Sequence, residues 1–335
     1  MLASMPRAAA ILVILAAVLA AGVALRLGVA GDLSALSEAA REQAVSLRMG
    51  RVCAAVIVGA ALAVGGVLLQ RLLRNPLASP DVLGCTSGAT LGVVVAIFVQ
   101  FRMGALTGSA PGSLAALSWQ GGPALVGAMA ALGLVYALGQ RRGMLDPLGV
   151  VLIGVVVSIL CGALVMLVQH LMPQIGYSTM RLLIGSLSDD VSSTQLWVTG
   201  AIVGAGVLAA LWLGPAMDAA ALGEDEAASV GVNWRALRAT MFVLCGVLTA
   251  CAVVLAGPVG FVGLVSPHAA RLLLGRSSLG RVLVGASAIA GAALVVWADW
   301  LVKVVDLGSG RLPLGVVTAL VGGPMLVVLV RRGRA

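Results

Sequence analysis

The sequence predicts an all-α, polytopic membrane protein with about ten transmembrane helices. Of its 335 residues, 61% are hydrophobic and only 10% are charged, whereas a soluble domain carries about 25% charged residues. Charges this sparse cannot cover a surface in water, so most of the chain is predicted to lie in a lipid bilayer. The 44 glycines allow helices to pack with their backbones close together. We therefore expect a single transmembrane domain over residues 1–335.

The apolar stretches between charged residues define the predicted helices. A membrane-spanning helix needs about 20 mostly apolar residues. The first stretch follows Arg7 as a signal peptide would, but it is as long as a span, and we interpret it as an uncleaved helix. Proline and glycine divide the longer stretches at Pro173 and at Gly257-Pro258. The predicted segments are 8–25, 52–70, 82–101, 124–140, 147–170, 191–217, 239–256, a short helix that starts near Phe261, 282–298 and 312–330, with a further short helix around 178–187.

The distribution of basic residues predicts the orientation. With the N-terminus inside and ten alternating segments, 13 of the 21 lysines and arginines fall on the side of the termini and 8 fall on the other side. Cytoplasmic loops of membrane proteins carry the excess of Lys and Arg. We therefore expect a multi-pass protein of the inner membrane with both termini in the cytoplasm.

Several kinds of chemistry are disfavoured by the residues present. A phosphate-binding P-loop needs a lysine followed by Ser or Thr, and the only lysine, Lys303, is followed by Val304. The five cysteines form no Cys-x-x-Cys pair and the two histidines are far apart in sequence, so we predict no metal site and no cofactor. An enzyme is therefore not expected. Few ionisable residues fall inside the predicted spans, which weighs against a proton-coupled carrier.

Three clusters of glycine, proline and arginine accompany the predicted helices. The first opens with Arg48-Met49-Gly50-Arg51, has a glycine-rich run at 59–66, and contains Asn75, Pro76, Gly84 and Gly88. The second is Gly-Pro-Val-Gly-Phe-Val-Gly-Leu-Val-Ser-Pro-His at 257–268, followed by Arg271. The third includes Leu312-Pro313-Leu314-Gly315 and Gly322-Gly323-Pro324. Pro76 and Pro80 predict a turn between two helices, and glycines four residues apart predict a smooth helix face.

Taken in order from about residue 48 to 332, these clusters resemble the FecCD family of ABC permeases, the membrane subunits that import iron–siderophores, haem and vitamin B12. The resemblance implies a type II ABC importer fold with ten helices. It also implies a second permease subunit, two cytoplasmic ATPase subunits and an extracytoplasmic substrate-binding protein as partners. Family prevalence favours an iron–siderophore as cargo, with cobalamin and haem as alternatives. A secondary carrier that works without ATP is the alternative from another functional class.

The resemblance implies docking residues on the outer face. Arg48, Arg51 and Lys303 occupy positions that in the family meet acidic side chains of the binding protein, and such charge pairs steer docking. Two differences from the family pattern lie here, because Met49 and Gly50 replace Leu-Pro and Lys303 replaces arginine. In the alternative interpretation, the three cations bind lipid phosphates or pair locally, for example Lys303 with Asp299 one helical turn away.

A second implied contact is with the ATPase. The stretch 222–231 predicts a short helix with acidic residues at its start, where the helix dipole favours them, and with Gly231 as its cap. Ala227, Ala228 and Val230 are expected to form a small apolar face. The resemblance implies that this segment couples the permease to the ATPase through Leu222, Gly223, Glu224, Ala227, Ala228 and Gly231; the alternative is a solvated turn.

The remaining motif residues are expected to shape the fold. A lone histidine such as His268 is more often packed and hydrogen-bonded than a ligand, and Arg271 is expected to contact the ATPase or lipid headgroups. The structural motif comprises Asn75, Pro76, Gly84, Gly88, Gly260, Gly263, Pro267, His268, Arg271, Pro313 and Gly315.

Overall fold

The computed structural model describes residues 5–28, 37–107, 121–141, 144–145, 147–172, 185–187, 191–275, 279–305 and 312–332. In these ranges the chain forms eleven helices and one pair of two-residue strands. The helices are α1 (Met5–Gly28), α2 (Glu38–Leu72), α3 (Cys85–Thr107), α4 (Gly121–Leu138), α5 (Pro147–His170), α6 (Ser193–Leu222), α7 (Glu224–Ser229), α8 (Trp234–Ala256), α9 (Val262–Leu274), α10 (Gly280–Val304) and α11 (Leu314–Arg332).

The two strands form a minimal antiparallel hairpin between α4 and α5. Strand β1 (Gln140–Arg141) pairs with β2 (Met144–Leu145), with Gln140 opposite Leu145 and Arg141 opposite Met144. This hairpin is a small exception to the predicted all-α architecture, which is otherwise confirmed for the described residues.

Eight of the described helices, namely α1 to α6, α8 and α10, are long and apolar enough to cross a membrane. Two shorter apolar helices, α9 and the Leu314–Val327 part of α11, bring the set to ten. These ten helices correspond in order to the ten predicted segments. The short helix predicted at 178–187 falls mostly outside the described residues, and the described part, 185–187, is not helical.

Helix α2 is the central element and is much longer than predicted. It has 35 residues, which at 1.5 Å per residue is about 52 Å, whereas the apolar stretch predicted only 52–70. The extra turns at 38–51 are rich in Ala, Glu, Gln, Leu and Arg, which favour helix, so the helix continues past the apolar boundary. Its span is largely buried, with Ala54, Val58 and Leu68 fully enclosed.

Glycines allow α2 to touch its neighbours backbone to backbone. A Cβ atom added at Gly66 would overlap the carbonyl of Gly263 on α9, and one added at Gly59 would overlap the carbonyl of Gly291 on α10. In the same way, Gly88 on α3 lies against the backbone of Gly127 on α4. Contacts this close are possible only without side chains and are typical of helix packing in membranes.

Candidate functional site

The polar groups of interest lie at the two ends of α2. We call one the Arg51 end, where the C-terminal ends of α1 and α10 meet the first half of α2. We call the other the Asp218 end, where the C-terminal ends of α2 and α6 meet the start of α10. The sequence predictions for docking fall at the Arg51 end, and those for coupling fall near the Asp218 end.

At the Arg51 end, one carboxylate accepts hydrogen bonds from two arginines. Arg26 Nε donates to Asp299 Oδ2 at 2.6 Å, while Arg51 donates to Asp299 Oδ1 through Nε at 2.8 Å and lies 2.7 Å from it through Nη2. All three residues are buried, with Arg26 and Asp299 each 1% exposed and Arg51 5% exposed. The cluster joins α1, α2 and α10. Removing one member of such a buried group costs about 3–5 kcal/mol, because it leaves an uncompensated charge.

This cluster corrects the prediction for Arg51. An arginine that is buried and bonded to Asp299 does not present its charge at the surface, which contradicts the expected exposed docking charge. The alternative interpretation, local pairing, describes Arg51 better. That interpretation pairs Asp299 with Lys303, however, whereas the two oxygens of Asp299 accept from Arg26 and Arg51. No sequence signal at Arg26 predicted its role.

The other two predicted docking residues lie at the same end and are half-buried. Arg48, one turn before Arg51 on α2, donates through Nη1 to the carbonyl oxygen of Leu27 at 3.4 Å. Lys303 lies one turn after Asp299 on α10. The structure thus brings Arg48 and Lys303 to the same end of the bundle, beside the buried cluster.

At the Asp218 end, a single carboxylate joins three helices. Asp218 on α6 lies 3.2 Å from Arg71 Nη1 of α2 through Oδ1, and its Oδ2 accepts from the backbone N–H of Gly280, the first residue of α10, at 2.7 Å. Arg74 Nη2 donates to the carbonyl oxygen of Ala220 at 2.9 Å. The Arg71 and Asp218 side chains are 20% and 30% exposed. Sequence reasoning missed Asp218, although an acidic residue near the end of an apolar helix is a usable signal.

The first and second motifs meet in the structure. Asn75 Oδ1 accepts from the N–H of Leu77 at 2.9 Å and shapes the turn between α2 and α3. From this turn, Asp81 Oδ2 accepts from the N–H of Phe261 at 3.0 Å. Phe261 has a left-handed backbone, with φ of 66°, which residues other than glycine rarely adopt. The hydrogen bond from Phe261 to Asp81 therefore holds the start of α9 in an unusual conformation.

Other motif residues surround this contact. Gln70 bonds to the Arg271 guanidinium through Oε1 and donates through Nε2 to the Gly263 carbonyl at 3.3 Å, so Arg271 has a partner within the bundle. Gly315 N donates to the Gly185 carbonyl oxygen at 3.0 Å. The remaining motif residues are structural in position: Gly84 precedes α3, Pro76 is exposed in the turn, Gly260 lies beside Asp81, Pro267 is buried within α9, His268 is half-buried beside it, and Pro313 precedes α11.

The predicted coupling segment is a short helix with different boundaries from those expected. Leu222 is the last residue of α6, Gly223 separates the helices, and α7 runs from Glu224 to Ser229. Gly231 follows in a left-handed conformation with φ of 80°, and its N–H bonds to the Ala228 carbonyl oxygen at 3.0 Å. The capping role predicted for Gly231 is therefore confirmed.

The apolar face predicted for this segment is wrong in one residue. Ala227 is fully buried against the rest of the chain, because α7 packs on α6 and α8. Ala228 is exposed, as are Leu222 and Val230, at 77% and 66%. The surface open to a partner is therefore formed by Leu222, Ala228 and Val230.

Within the described ranges, no three His, Cys, Asp or Glu side chains are placed to bind a metal ion. The charged side chains of the described residues form ion pairs that connect helices at both ends of the bundle.

Comparison with known proteins identifies this arrangement. The profile of the FecCD transport family matches residues 9–332. The chain is 36% identical to the vitamin B12 import system permease protein BtuC of Vibrio vulnificus, over 89% of this chain and 86% of that protein. It is 34% identical to the hemin transport system permease protein HmuU of Yersinia pestis, over 87% and 83%. A protein described as a probable siderophore transport system permease, YfhA of Bacillus subtilis, is 35% identical over 87% and 82%.

A solved structure agrees with these relatives. It is described as an inward-facing conformation of an ABC transporter of the metal-chelate type, and it superposes with a TM-score of 0.77 at 29% identity, covering 97% of this chain and 99% of that chain. Family, relatives and fold agree over nearly the whole sequence. The chain is a multi-pass inner-membrane protein that belongs to the FecCD transport family, as a permease subunit of an ABC importer.

Proposed function

We propose that this permease moves an iron–siderophore complex into the cell, using ATP hydrolysed by separate ATPase subunits. The observation that carries the cargo assignment is the 35% identity to the relative described as a probable siderophore transport system permease, and the likeness to a transporter of the metal-chelate type over 97% of this chain agrees with it. Relatives named for vitamin B12 and for hemin make cobalamin and haem the second candidates. All three are large ligands, which agrees with a permease of this family.

The test of the cargo uses the complete importer in proteoliposomes. Uptake of a ferric hydroxamate, of cyanocobalamin and of hemin is measured side by side, each with ATP and with a non-hydrolysable analogue. We expect ATP-dependent uptake of the ferric hydroxamate alone. Uptake of cyanocobalamin or hemin instead would replace the cargo, and uptake that persists with the analogue would favour a secondary carrier.

The proposed orientation places the Arg51 end outside the cell and the Asp218 end in the cytoplasm. It rests on the excess of basic residues on the side of the termini. A phosphatase reporter, active only outside the cytoplasm, is fused after Ala335. Inactivity of this fusion, with activity of one placed after Arg26, is the expected result; activity after Ala335 would reverse the orientation.

Docking of the binding protein is proposed to use Arg48 and Lys303, since Arg51 is buried. Reversing either charge to Glu should weaken association at low salt and have less effect at high salt, because exposed charges are screened over about 10 Å at 0.1 M salt. Arg102→Glu, an exposed cation of α3 on the same proposed side, is the matched control. Equal association of the two docking variants and the wild type at low salt would remove this role.

The ATPase is proposed to bind the surface formed by Leu222, Ala228 and Val230. Ala228→Trp should prevent co-purification of the ATPase while membrane insertion stays normal, because only an exposed side chain changes. Ala228→Ser keeps the size of the residue and is the control. Ala227→Trp is unsuitable as a test, since overfilling a buried position costs about 1–3 kcal/mol in the permease itself. Normal co-purification with Trp at position 228 would place the ATPase contact elsewhere.

The third proposed partner is a second permease subunit, either the same chain or a close relative. The apolar side chains of Leu152, Ile159 and Met166, spaced seven residues apart on α5, are more than half exposed and form one stripe. Expression of this chain alone with its ATPase, followed by mass measurement of the complex, distinguishes two identical copies from a requirement for a second gene product.

A further inference from the structure

A cavity of about 1300 Å³ opens between the first half of α2 and the start of α6. Most of its wall is apolar, formed by side chains such as Val45, Met49, Val56, Ile57 and Leu196, with Val23 of α1 at one side. Its charged groups are concentrated at one end, where Glu38, Arg41 and Glu42 lie on the first turns of α2. The cavity is therefore amphiphilic, with a long apolar part and a charged rim.

The position of α6 indicates that this cavity faces lipid. Trp197, near the start of α6, is 80% exposed. Exposed tryptophans concentrate at the membrane–water interfaces, so this indole indicates the bilayer boundary at that end of α6. Trp197 also lines the cavity. The cavity therefore lies at the level where acyl chains meet headgroups.

The charged rim has the pattern of a zwitterion. Glu38 lies three residues before Arg41 and four residues before Glu42, so both lie on the same side of α2 as Glu38. All three side chains are exposed, and none is in a salt bridge with another described residue. One guanidinium and two carboxylates on the same rim match a headgroup with one phosphate and one ammonium group. A headgroup with negative charge alone would meet two like charges.

We propose that this cavity binds one phospholipid with a phosphoethanolamine headgroup. Its acyl chains fill the apolar part, Arg41 binds the phosphate, and Glu38 and Glu42 accept hydrogen bonds from the primary ammonium. A quaternary choline has no N–H groups to donate to these carboxylates, so ethanolamine is the better match. Under the proposed orientation, this lipid belongs to the outer leaflet; binding itself depends on neither cargo nor orientation.

The experiment measures retained lipid by native mass spectrometry. The full chain is purified from nanodiscs that contain equal amounts of phosphatidylethanolamine, phosphatidylglycerol and phosphatidylcholine. We expect one phosphatidylethanolamine per wild-type chain. Ala201→Trp, which fills the cavity from α6, should abolish retention. Ala205→Trp, at an exposed residue of the same helix that does not line the cavity, should leave retention unchanged.

A second variant separates the headgroup from the acyl chains. Replacing Glu38, Arg41 and Glu42 together by Gln should keep lipid binding but remove the preference for ethanolamine. The proposal is overturned if Ala201→Trp retains lipid as the wild type does, or if phosphatidylglycerol is preferred. It is equally overturned if Ala201→Trp separates a protein dimer without changing lipid retention, because the cavity would then be a protein interface.

Discussion

The two ends of α2 use the same chemistry in different surroundings. At the Arg51 end, Asp299 bonds to Arg26 and Arg51 with side chains 1–6% exposed. At the Asp218 end, Asp218 pairs with Arg71 while 20–30% of these side chains is exposed. Water access decides how much each contact contributes. Removing one member of a dry ion cluster costs about 3–5 kcal/mol, whereas an exposed pair contributes only about 0–1 kcal/mol to stability.

The contacts at the two ends therefore differ in how easily they separate. The dry cluster joins α1, α2 and α10, and its side chains are too deeply buried for water to replace their hydrogen bonds. Asp218 lies on α6, four residues before that helix ends beside α7, and its partner Arg71 lies on α2. Both side chains are partly exposed, so water can solvate both charges if they separate. Asp218 therefore connects α6, which leads into α7, to α2 and α10, while the Arg51 end is held by the buried cluster.

The largest expected effect follows from Asp299→Asn. It leaves two buried arginines without a carboxylate, and we expect a loss of about 3–5 kcal/mol in the free energy of unfolding. The measurement is thermal unfolding in detergent, monitored as the loss of the monodisperse peak in size-exclusion chromatography. The triple variant Arg26→Met, Arg51→Met, Asp299→Leu should be more stable than Asp299→Asn, because it removes every charge. If Asp299→Asn unfolds at the wild-type temperature, the cluster does not fix the Arg51 end.

A smaller effect on stability, with a distinct effect on transport, is expected from Asp218→Asn. The amide oxygen still accepts from Gly280, so only the ion pair with Arg71 is lost, at about 0–1 kcal/mol. Cargo transported per ATP hydrolysed should nevertheless fall, because α6 and α2 are no longer linked. Asp218→Ala also removes the acceptor of the Gly280 N–H at the start of α10, which costs about 1 kcal/mol more. An unchanged ratio of transport to hydrolysis in Asp218→Asn would remove the proposed link.

The smallest expected effect is the response to salt. Raising NaCl from about 0.05 M to about 1 M shortens the screening length from more than 10 Å to about 3 Å. The stability difference between wild type and Asp218→Asn should therefore shrink, while that between wild type and Asp299→Asn should stay the same. Both are measured as shifts in unfolding temperature at the two salt concentrations. A salt-sensitive Asp299 difference would show that water reaches the buried cluster.

Sequence patterns predicted those features that depend on neighbouring residues. Apolar length located the ten helices, and the left-handed preference of glycine predicted that α7 ends just before Gly231. The partners of Asp299 were beyond such reasoning, because they lie 248 and 273 residues away, while helical periodicity suggests only local pairs such as Lys303. Similarly, a six-residue helix is too short for its pattern to tell that Ala227 faces inward and Ala228 outward.

The length of α2 gives the two ends a mechanical relationship. Arg51 and Arg71 are 20 residues apart on one continuous helix, about 30 Å at 1.5 Å per residue. If the dry cluster acts as a fulcrum, a tilt of about 5° displaces Arg71 by about 2.6 Å over that length. The contact between Arg71 and Asp218 spans 3.2 Å, so a rotation too small to disturb the packing near Arg51 is enough to separate this pair. Gly59 and Gly66 lie between the two arginines and touch the backbones of α10 and α9, so such a tilt moves these two helices together with α2, and the contact that opens is the one with α6.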